Sequence, residues 1–149
     1  MRAVVQRVLG GRVDVGGQVI NQIGRGLLVY LSVGNGDTAH DAQVIAEKLV
    51  NLRIFPDENV KMNRSIIDEK GAILLISTFS LHGDCRKGRR PSFDAAAEPA
   101  IAQQLYEQAS QLIAQQGVEV KKGVFAAHMH ISSINDGPVT FLLDSGRLF

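Results

Sequence analysis

Runs of apolar residues predict a chain rich in β-strands. Apolar and polar residues alternate over 3–8 and again over 12–20, which is typical of strands with one buried face. Gly16 and Gly17 interrupt the second run and predict a two-residue hairpin turn. Turn-forming residues break the pattern again at 135–138. Later strands are predicted over 27–33 and 72–79, where continuous apolar residues indicate burial on both faces, and over 118–121, 124–134 and 139–143.

Two segments have apolar residues at helical spacing. The first begins at Thr38, whose distance along the chain to Asp41 is that of a capping box, and ends before Pro56. The second begins near Pro99 and stops at Gly117. The buried stripes are expected to contain Val44, Ile45, Leu49 and Leu52 in the first helix, and Ile101, Leu105, Leu112 and Ile113 in the second.

This order of elements predicts an α+β fold with two main helices on a largely antiparallel sheet or open β-barrel. With 149 residues, of which 45% are hydrophobic, one domain over residues 1–149 is expected. The net charge of +1 argues against a strongly basic nucleic-acid coat but allows a local basic patch. The lone Cys85 cannot form an intrachain disulfide, which favours the cytoplasm. No apolar run approaches the roughly 20 residues of a membrane span, so no membrane partner is expected.

Three hydroxyl groups lie at the end of the predicted strand over 72–79. They belong to Ser77, Thr78 and Ser80. A hydroxyl at this place could attack an ester, but it would need a neighbouring base, and the sequence contains no Gly-x-Ser-x-Gly elbow. The alternative is that these hydroxyls only satisfy backbone groups at a strand end.

The segment from Asn135 to Thr140 contains an Asp-Gly-Pro turn. Proline makes a cis peptide accessible, and the preceding Gly137 leaves the main chain uncovered by a side chain. Such a turn can present main-chain atoms as a rigid surface. The alternative is an ordinary hairpin turn.

A basic segment follows the strand-end hydroxyls. Arg86, Lys87, Arg89 and Arg90 are four cations within five positions, and Phe93 follows shortly after. Arginine binds phosphates and an aromatic ring can stack on a base, so this segment is a candidate nucleic-acid contact. A solvated basic loop is the alternative.

His128 and His130 are two residues apart on a predicted strand and are expected to share a face. A third ligand of matching spacing is missing from the sequence, so neither a metal site nor any other cofactor is expected.

Taken together, these segments resemble the D-aminoacyl-tRNA deacylases over essentially the whole chain. The family's Asn-x-Gly-Pro-Val-Thr turn is matched in full by residues 135–140, and its Ser-Gln-Phe-Thr-Leu strand end corresponds to 77–81. Further agreement lies in 1–8, in 51–55, in Met62-Asn63 and in 87–93. The chain departs from the pattern at three places, where Thr78 replaces Gln, Ser80 replaces Thr and Ala126 replaces Gly.

The resemblance implies a hydrolase that cleaves the ester between the 3′-terminal adenosine of tRNA and a D-amino acid or glycine while sparing L-aminoacyl-tRNA. It implies a homodimer in which the cis Gly137-Pro138 turn reaches into the partner's site. The residues implied for catalysis are Ser77, Thr78, Phe79 and Ser80, those for the substrate pocket are Met129, Asn135 and Thr140, and those for tRNA binding are Arg86, Lys87, Arg89 and Arg90. A non-catalytic nucleic-acid-binding module is the second hypothesis.

Overall fold

A computed structural model describes residues 1–148. The strands are β1 (Arg2–Val15), β2 (Gln18–Ile23), β3 (Gly26–Ser32), β4 (Phe55–Pro56), β5 (Met62–Arg64), β6 (Ala72–Ser77), β7 (Glu119–Lys122) and β8 (His130–Asp144). The helices are α1 (Ala39–Asn51), α2 (Ile66–Glu69) and α3 (Pro99–Gln115), and a single 3₁₀ turn covers Ser80–His82.

The long strand β1 organises the sheet. One of its edges pairs with β8, while its other edge pairs first with β3 and then with β2, always antiparallel. Beyond β3 the sheet continues with β6 and β7, and both of these pairings are parallel. The result is a mixed sheet, antiparallel around β1 and parallel on the side that carries β6.

The sheet curls nearly into a barrel. Its edges approach each other where the Asn21 side-chain amide on β2 donates to the Lys122 carbonyl on β7 at 2.7 Å. Side chains from β3 and β6 alternate between the two faces, as the period of a strand requires. The barrel interior holds Val8, Val13, Ile23, Leu28, Leu74 and Ile76, whereas the larger core between sheet and helices includes Leu27, Val29, Leu31, Ile73 and Leu75.

Both main helices begin and end as the sequence predicts. Before α1, the Asp41 carboxylate accepts hydrogen bonds from the Thr38 N–H and hydroxyl at 2.8 and 2.9 Å. Helix α3 starts at Pro99, and Gly117 after its end has a φ of +83°. Ile101 is predicted to belong to the buried stripe, but half of it is exposed, because the neighbouring Ala102 packs against the core in its place. No helix among residues 1–148 is long and apolar enough to cross a membrane.

The structure corrects three strand boundaries. The apolar run over 72–79 pairs as a strand only to Ser77, since the chain then enters the 3₁₀ turn. Residues 124–129 form an irregular segment instead of a strand, so His128 precedes β8 and only His130 belongs to it. The predicted break at 135–138 is wrong, because β8 continues through these residues with a register shift against β1.

Candidate active site

An open cavity of about 710 Å³ lies at the carboxyl end of β6. It forms where the pairing with β7 stops at Leu75, so that the last residues of β6 face the irregular segment 124–129 instead of a neighbouring strand. Its walls include the strand-end residues Ser77, Thr78 and Phe79, together with Phe93, His128 and Met129. The cavity therefore brings together the predicted strand end and one predicted pocket residue, Met129.

The strand end presents one free main-chain donor at this wall. The Thr78 N–H is occupied, because it donates to the Leu31 carbonyl at 2.9 Å and extends the β3–β6 ladder by one bond. Phe79 lies outside any strand, and its N–H donates to no group within residues 1–148. A free amide at a cavity wall can bind a developing oxyanion.

The strand-end hydroxyls hydrogen-bond to each other. Thr78 Oγ1 and Ser80 Oγ are 2.8 Å apart, and the Ser80 N–H donates to Thr78 Oγ1 at 3.3 Å. Among the residues that the structure describes, no imidazole or carboxylate hydrogen-bonds to either hydroxyl. Ser80 therefore lacks the base that would make it a strong nucleophile.

The nearest histidine in the sequence, His82, is turned away from Ser80. It is 7% exposed, and its Nδ1 lies 2.7 Å from the Ser32 hydroxyl. The pKa of His82 is lowered, first by burial and then by the positive charge of Arg2, although Asp37 and Asp144 act in the opposite direction. The neutral His82 imidazole thus anchors the 3₁₀ turn to Ser32 on β3.

Aromatic residues build the inner wall of the cavity. The Tyr106 hydroxyl donates to the Leu75 carbonyl at 2.8 Å, which also accepts from the Gly123 N–H at 3.0 Å. The Tyr106 ring packs against Phe125 with a centroid distance of 6.1 Å. Burial raises the pKa of Tyr106 above its ordinary value, so this hydroxyl serves as a structural donor and not as a proton acceptor.

Ala126, one of the three departures from the family pattern, lines the cavity and has an unusual backbone conformation. Its φ of +60° lies in the left-handed region that glycine adopts without strain. The family's glycine is thus replaced at a position whose conformation still favours glycine. The added methyl group also occupies space at the cavity wall.

His128 and His130 lie edge to face with ring centroids 5.2 Å apart. Within residues 1–148, no three His, Cys, Asp or Glu residues cluster in a way that could hold a metal ion.

The turn on β8 is a second, separate region. The Gly137-Pro138 peptide is cis, as predicted, and both residues are exposed. The side-chain amide of Asn135 donates to the Arg7 carbonyl at 2.9 Å and to the Val139 carbonyl at 3.0 Å, which closes the turn.

Arg7 reaches under this turn from β1. Only 8% of it is exposed, and its Nη1 donates to the Ile54 carbonyl at 2.6 Å. Its Nε lies 2.9 Å from the Asp136 carboxylate. That N–H is not directed at the carboxylate closely enough to form a hydrogen bond, so the contact is best described as an ion pair. Sequence reasoning missed this role, because Arg7 is an ordinary polar position in an alternating strand and only the fold reveals its burial.

The two regions are not joined within one chain. The cavity wall contains none of Asn135, Gly137, Pro138 and Thr140. The turn therefore does not contribute to the cavity of its own chain.

The basic segment forms a hairpin, residues 84–92, called here the basic hairpin. Its ends are joined by hydrogen bonds from the Asp84 N–H to the Ser92 carbonyl at 2.7 Å and from the Ser92 N–H to the Asp84 carbonyl at 3.0 Å. Arg86 is paired with the Asp84 carboxylate at 2.6 Å, and hydrogen bonds from Arg86 lower the pKa of Asp84 to about 2. Lys87, Arg89 and Arg90 are exposed.

The fold and the site define a small α+β protein whose candidate site lies at the end of a buried strand. The site presents main-chain groups, and residues 1–148 contain no side-chain triad there. The family model described as D-Tyr-tRNA(Tyr) deacylase matches residues 4–144, and the chain belongs to this family. A D-aminoacyl-tRNA deacylase of Desulforamulus reducens is 54% identical over 149 residues, which is all of both chains. One from Thermosipho africanus is 51% identical over the same full length.

Two solved structures share the fold. One, described as a c-Myc DNA unwinding element binding protein, has a TM-score of 0.91 and 36% identity, covering 97% of this chain and 98% of that one. The other, described as a probable eukaryotic D-amino acid tRNA deacylase, has a TM-score of 0.80 and 18% identity, covering 95% and 97%. The second likeness supports the fold alone.

Proposed function

We propose that this protein hydrolyses the ester that joins a D-amino acid to the 3′ end of tRNA, releasing the free tRNA and the amino acid. Membership of the deacylase family supports the reaction. The structural observation that carries the proposal is the free Phe79 N–H at the wall of the 710 Å³ cavity. This amide is the donor for the oxyanion that forms when the ester carbonyl is attacked.

The complete site requires a second copy of the chain. The Gly137-Pro138 turn is exposed and lies outside its own cavity. Exposed apolar residues on β8, among them Ile134 at 64% and Leu142 at 57%, offer a surface that a second copy would cover. In this homodimer each turn forms a wall of the partner's cavity, where Asn135 and Thr140 support it.

Main-chain walls account for the selection of D-substrates. The carbonyl groups of the turn and the strand-end amides hold the amino group and the α-hydrogen, leaving no space for a side chain in the L position. A closely packed protein wall cannot easily move to make room for extra atoms, so it excludes the side chain of an L-amino acid. A thousandfold rejection of L-substrates needs a difference of only about 4 kcal/mol between transition states. Glycine has no side chain to exclude and is therefore cleaved.

The substrate supplies the reactive group that the protein lacks. The 2′-hydroxyl of the terminal adenosine is adjacent to the ester, and a neighbouring group of this kind has a high effective concentration. Ser80 has no base partner among the described residues, which supports this mechanism over a serine nucleophile. Activity on tRNA also makes the cytoplasm the expected location.

Turnover of a modified substrate tests the mechanism. D-aminoacyl-tRNA that ends in 2′-deoxyadenosine and is charged on its 3′-hydroxyl is expected to be hydrolysed at least about a hundredfold more slowly than the ribose form, because neighbouring groups have effective concentrations far above that factor. The measurement is the multiple-turnover rate with protein at catalytic concentration. Equal rates on both substrates would refute assistance by the 2′-hydroxyl.

A second candidate function is non-catalytic binding of nucleic acid. The 36%-identical structure described as a DNA unwinding element binding protein favours it, as does the basic hairpin. The same assay separates the two functions, because a binder would leave the D-ester intact or protect it.

A further inference from the structure

We propose that the basic hairpin and the neighbouring rings of Phe79 and Phe93 together bind an unpaired nucleic-acid strand, namely the nucleotides that precede the terminal adenosine of the substrate. Cations at the hairpin tip contact the phosphates, and the exposed aromatic pair contacts a base. This role depends on the proposed function, since that function places the 3′ end of tRNA in the cavity.

The hairpin is a closed structure that projects cations away from the core. The paired main chain of Asp84 and Ser92 joins its two ends, and Gly88 adopts a φ of +71° at its tip. A left-handed residue permits the tight reversal that a short hairpin needs. The segment between Asp84 and Ser92 is therefore a bent loop that is closed at its base.

The four cations of the hairpin are not equivalent. Arg86 donates from Nε and Nη2 to the two oxygens of Asp84 at 2.9 and 2.6 Å, and its own N–H donates to the same carboxylate at 2.9 Å. The Arg86 guanidinium is thus paired with a carboxylate of the hairpin itself, although its side chain is 87% exposed. Within residues 1–148, no carboxylate lies at ion-pair distance from Lys87, Arg89 or Arg90. These three supply the charge that is available to phosphates.

An exposed aromatic pair lies at the base of the hairpin, where Phe93 directly follows Ser92. Phe79 and Phe93 pack edge to face with centroids 4.7 Å apart, yet 61% of Phe79 and 38% of Phe93 remain exposed. Both residues line the cavity. A strand whose last nucleotide enters the cavity would therefore pass the rings before it reaches the cations.

This combination of features fits a single strand better than a duplex. Proteins that bind unpaired strands join a positively charged track to aromatic rings on which bases stack. In a duplex the bases are already stacked on each other, so only the phosphates would remain for the hairpin. The chemistry thus indicates an unpaired strand, which is the form of the last nucleotides at a tRNA 3′ end.

Binding of a short, uncharged RNA tests this role without relying on catalysis. The probe is a fluorescein-labelled octanucleotide ending in CCA, and fluorescence anisotropy gives its Kd at several salt concentrations. Replacing Lys87, Arg89 and Arg90 by Gln should weaken binding at least about tenfold and reduce the slope of log Kd against log salt by about 2, because each phosphate contact to a single strand contributes about 0.7. Arg86→Gln should leave that slope nearly unchanged.

The aromatic contact is tested separately. Phe93→Leu should weaken binding about tenfold without changing the salt slope, since stacking releases no ions, and Phe93→Tyr should restore most of the affinity. A DNA strand of the same sequence should bind within a few-fold of the RNA, because neither contact involves the 2′-hydroxyl. The same RNA annealed to its full complement should bind at least about tenfold more weakly, since its bases can no longer stack on the rings.

A charge-matched control lies elsewhere on the surface. Lys48, Lys61 and Lys70 are exposed on other elements, and their replacement by Gln should leave the Kd and its salt slope unchanged. Equal loss in this control, or equal binding of the duplex, would overturn the inference. A change of oligomeric state in Phe93→Leu, measured by light scattering, would instead assign the ring to a subunit contact and overturn its role in stacking. Hydrolysis of D-aminoacyl-tRNA by the unmodified protein is measured in parallel, so that failure of the proposed function is recognised independently.

Discussion

The two regions assigned to the proposed site are held in place by different means. The strand end around Thr78 and Phe79 is fixed by the main chain, through the bond from the Thr78 N–H to the Leu31 carbonyl, and the 3₁₀ turn that follows is anchored by the buried His82. The turn around Gly137 is fixed by two side chains, the buried Arg7 and the half-buried Asn135. We therefore expect side-chain substitutions at the strand end to have small effects on activity. Substitutions of the side chains beneath the turn should reduce both stability and activity.

The largest effect is expected for Arg7→Ala. It removes the cation that pairs with Asp136 and the donor to the Ile54 carbonyl, and both contacts are largely buried. Loss of one partner of a buried pair costs about 3–5 kcal/mol, and because the Asp136 side chain is 27% exposed we expect about 3 kcal/mol. Urea unfolding measures this free energy.

Activity should fall about a hundredfold in the same variant under conditions where it remains folded, because a displacement of about 1 Å at a site has effects of that size. Lys121→Ala on β7 is the matched control. Lys121 and Glu119 are 41% and 62% exposed in their ion pair, so its loss should cost less than about 1 kcal/mol. A fully active, stable Arg7→Ala protein would contradict the role given to side chains beneath the turn.

Ser80→Ala tests the other half of the comparison. The Ser80 hydroxyl bonds only to Thr78 among the described residues, so its removal should reduce the deacylation rate by no more than about tenfold, or about 1.4 kcal/mol in the barrier. Initial rates with D-aminoacyl-tRNA measure the effect. Collapse of activity in this variant would identify Ser80 as a working catalytic group and contradict a strand end that acts through its main chain.

Ala126→Gly should change the free energy of unfolding by less than Arg7→Ala does, and should raise it. A left-handed conformation costs a non-glycine residue roughly 1–2 kcal/mol, part of which is offset because glycine makes the unfolded chain more flexible. We therefore expect a gain of about 1 kcal/mol in the free energy of unfolding. Thermal and urea unfolding measure it, and a loss of stability would contradict the strain inferred from the φ of +60°.

The smallest effect is expected from the titration of His82, since Asp37 and Asp144 partly oppose the lowering of its pKa by burial and Arg2. Below the ordinary histidine pKa of about 6.5 the unfolded chain binds a proton that the folded protein does not, so stability falls as pH decreases from about 6.5 towards the lowered value. In His82→Gln this part of the pH dependence should disappear. Unfolding free energies measured between about pH 7 and pH 5 show the difference, and identical slopes in both proteins would contradict a buried neutral imidazole.

The sequence pattern is a good guide where burial decides the structure. The continuous apolar residues over 27–33 predict a central strand, and β3 is buried on both faces between β1 and β6. The helix ends at Thr38 and Gly117 also follow local chemistry and are confirmed. Motifs indicate the strand end, the turn and Met129, although their assignment to one shared site stays a prediction.

The pattern fails where tertiary pairing overrides a local signal. Asn, Asp, Gly and Pro over 135–138 predict a break, but β8 pairs with β1 on both sides of them, so residues 136–139 stand opposite Arg7 as an irregularity within one strand. The burial of Arg7 and His82 could not be predicted either. Each is a polar residue whose partners, Asp136 and Ser32, are distant in the sequence.

The most direct test of the account compares tRNA charged with D-tyrosine and with L-tyrosine. Both esters have the same leaving group and side chain, so the ratio of their kcat/KM values measures only the stereochemical selection that the main-chain walls are proposed to impose. We expect the D-ester to be cleaved about a thousandfold faster than the L-ester, and glycyl-tRNA to be cleaved as well. Equal rates for the D- and L-esters, or no turnover of either, would contradict the account.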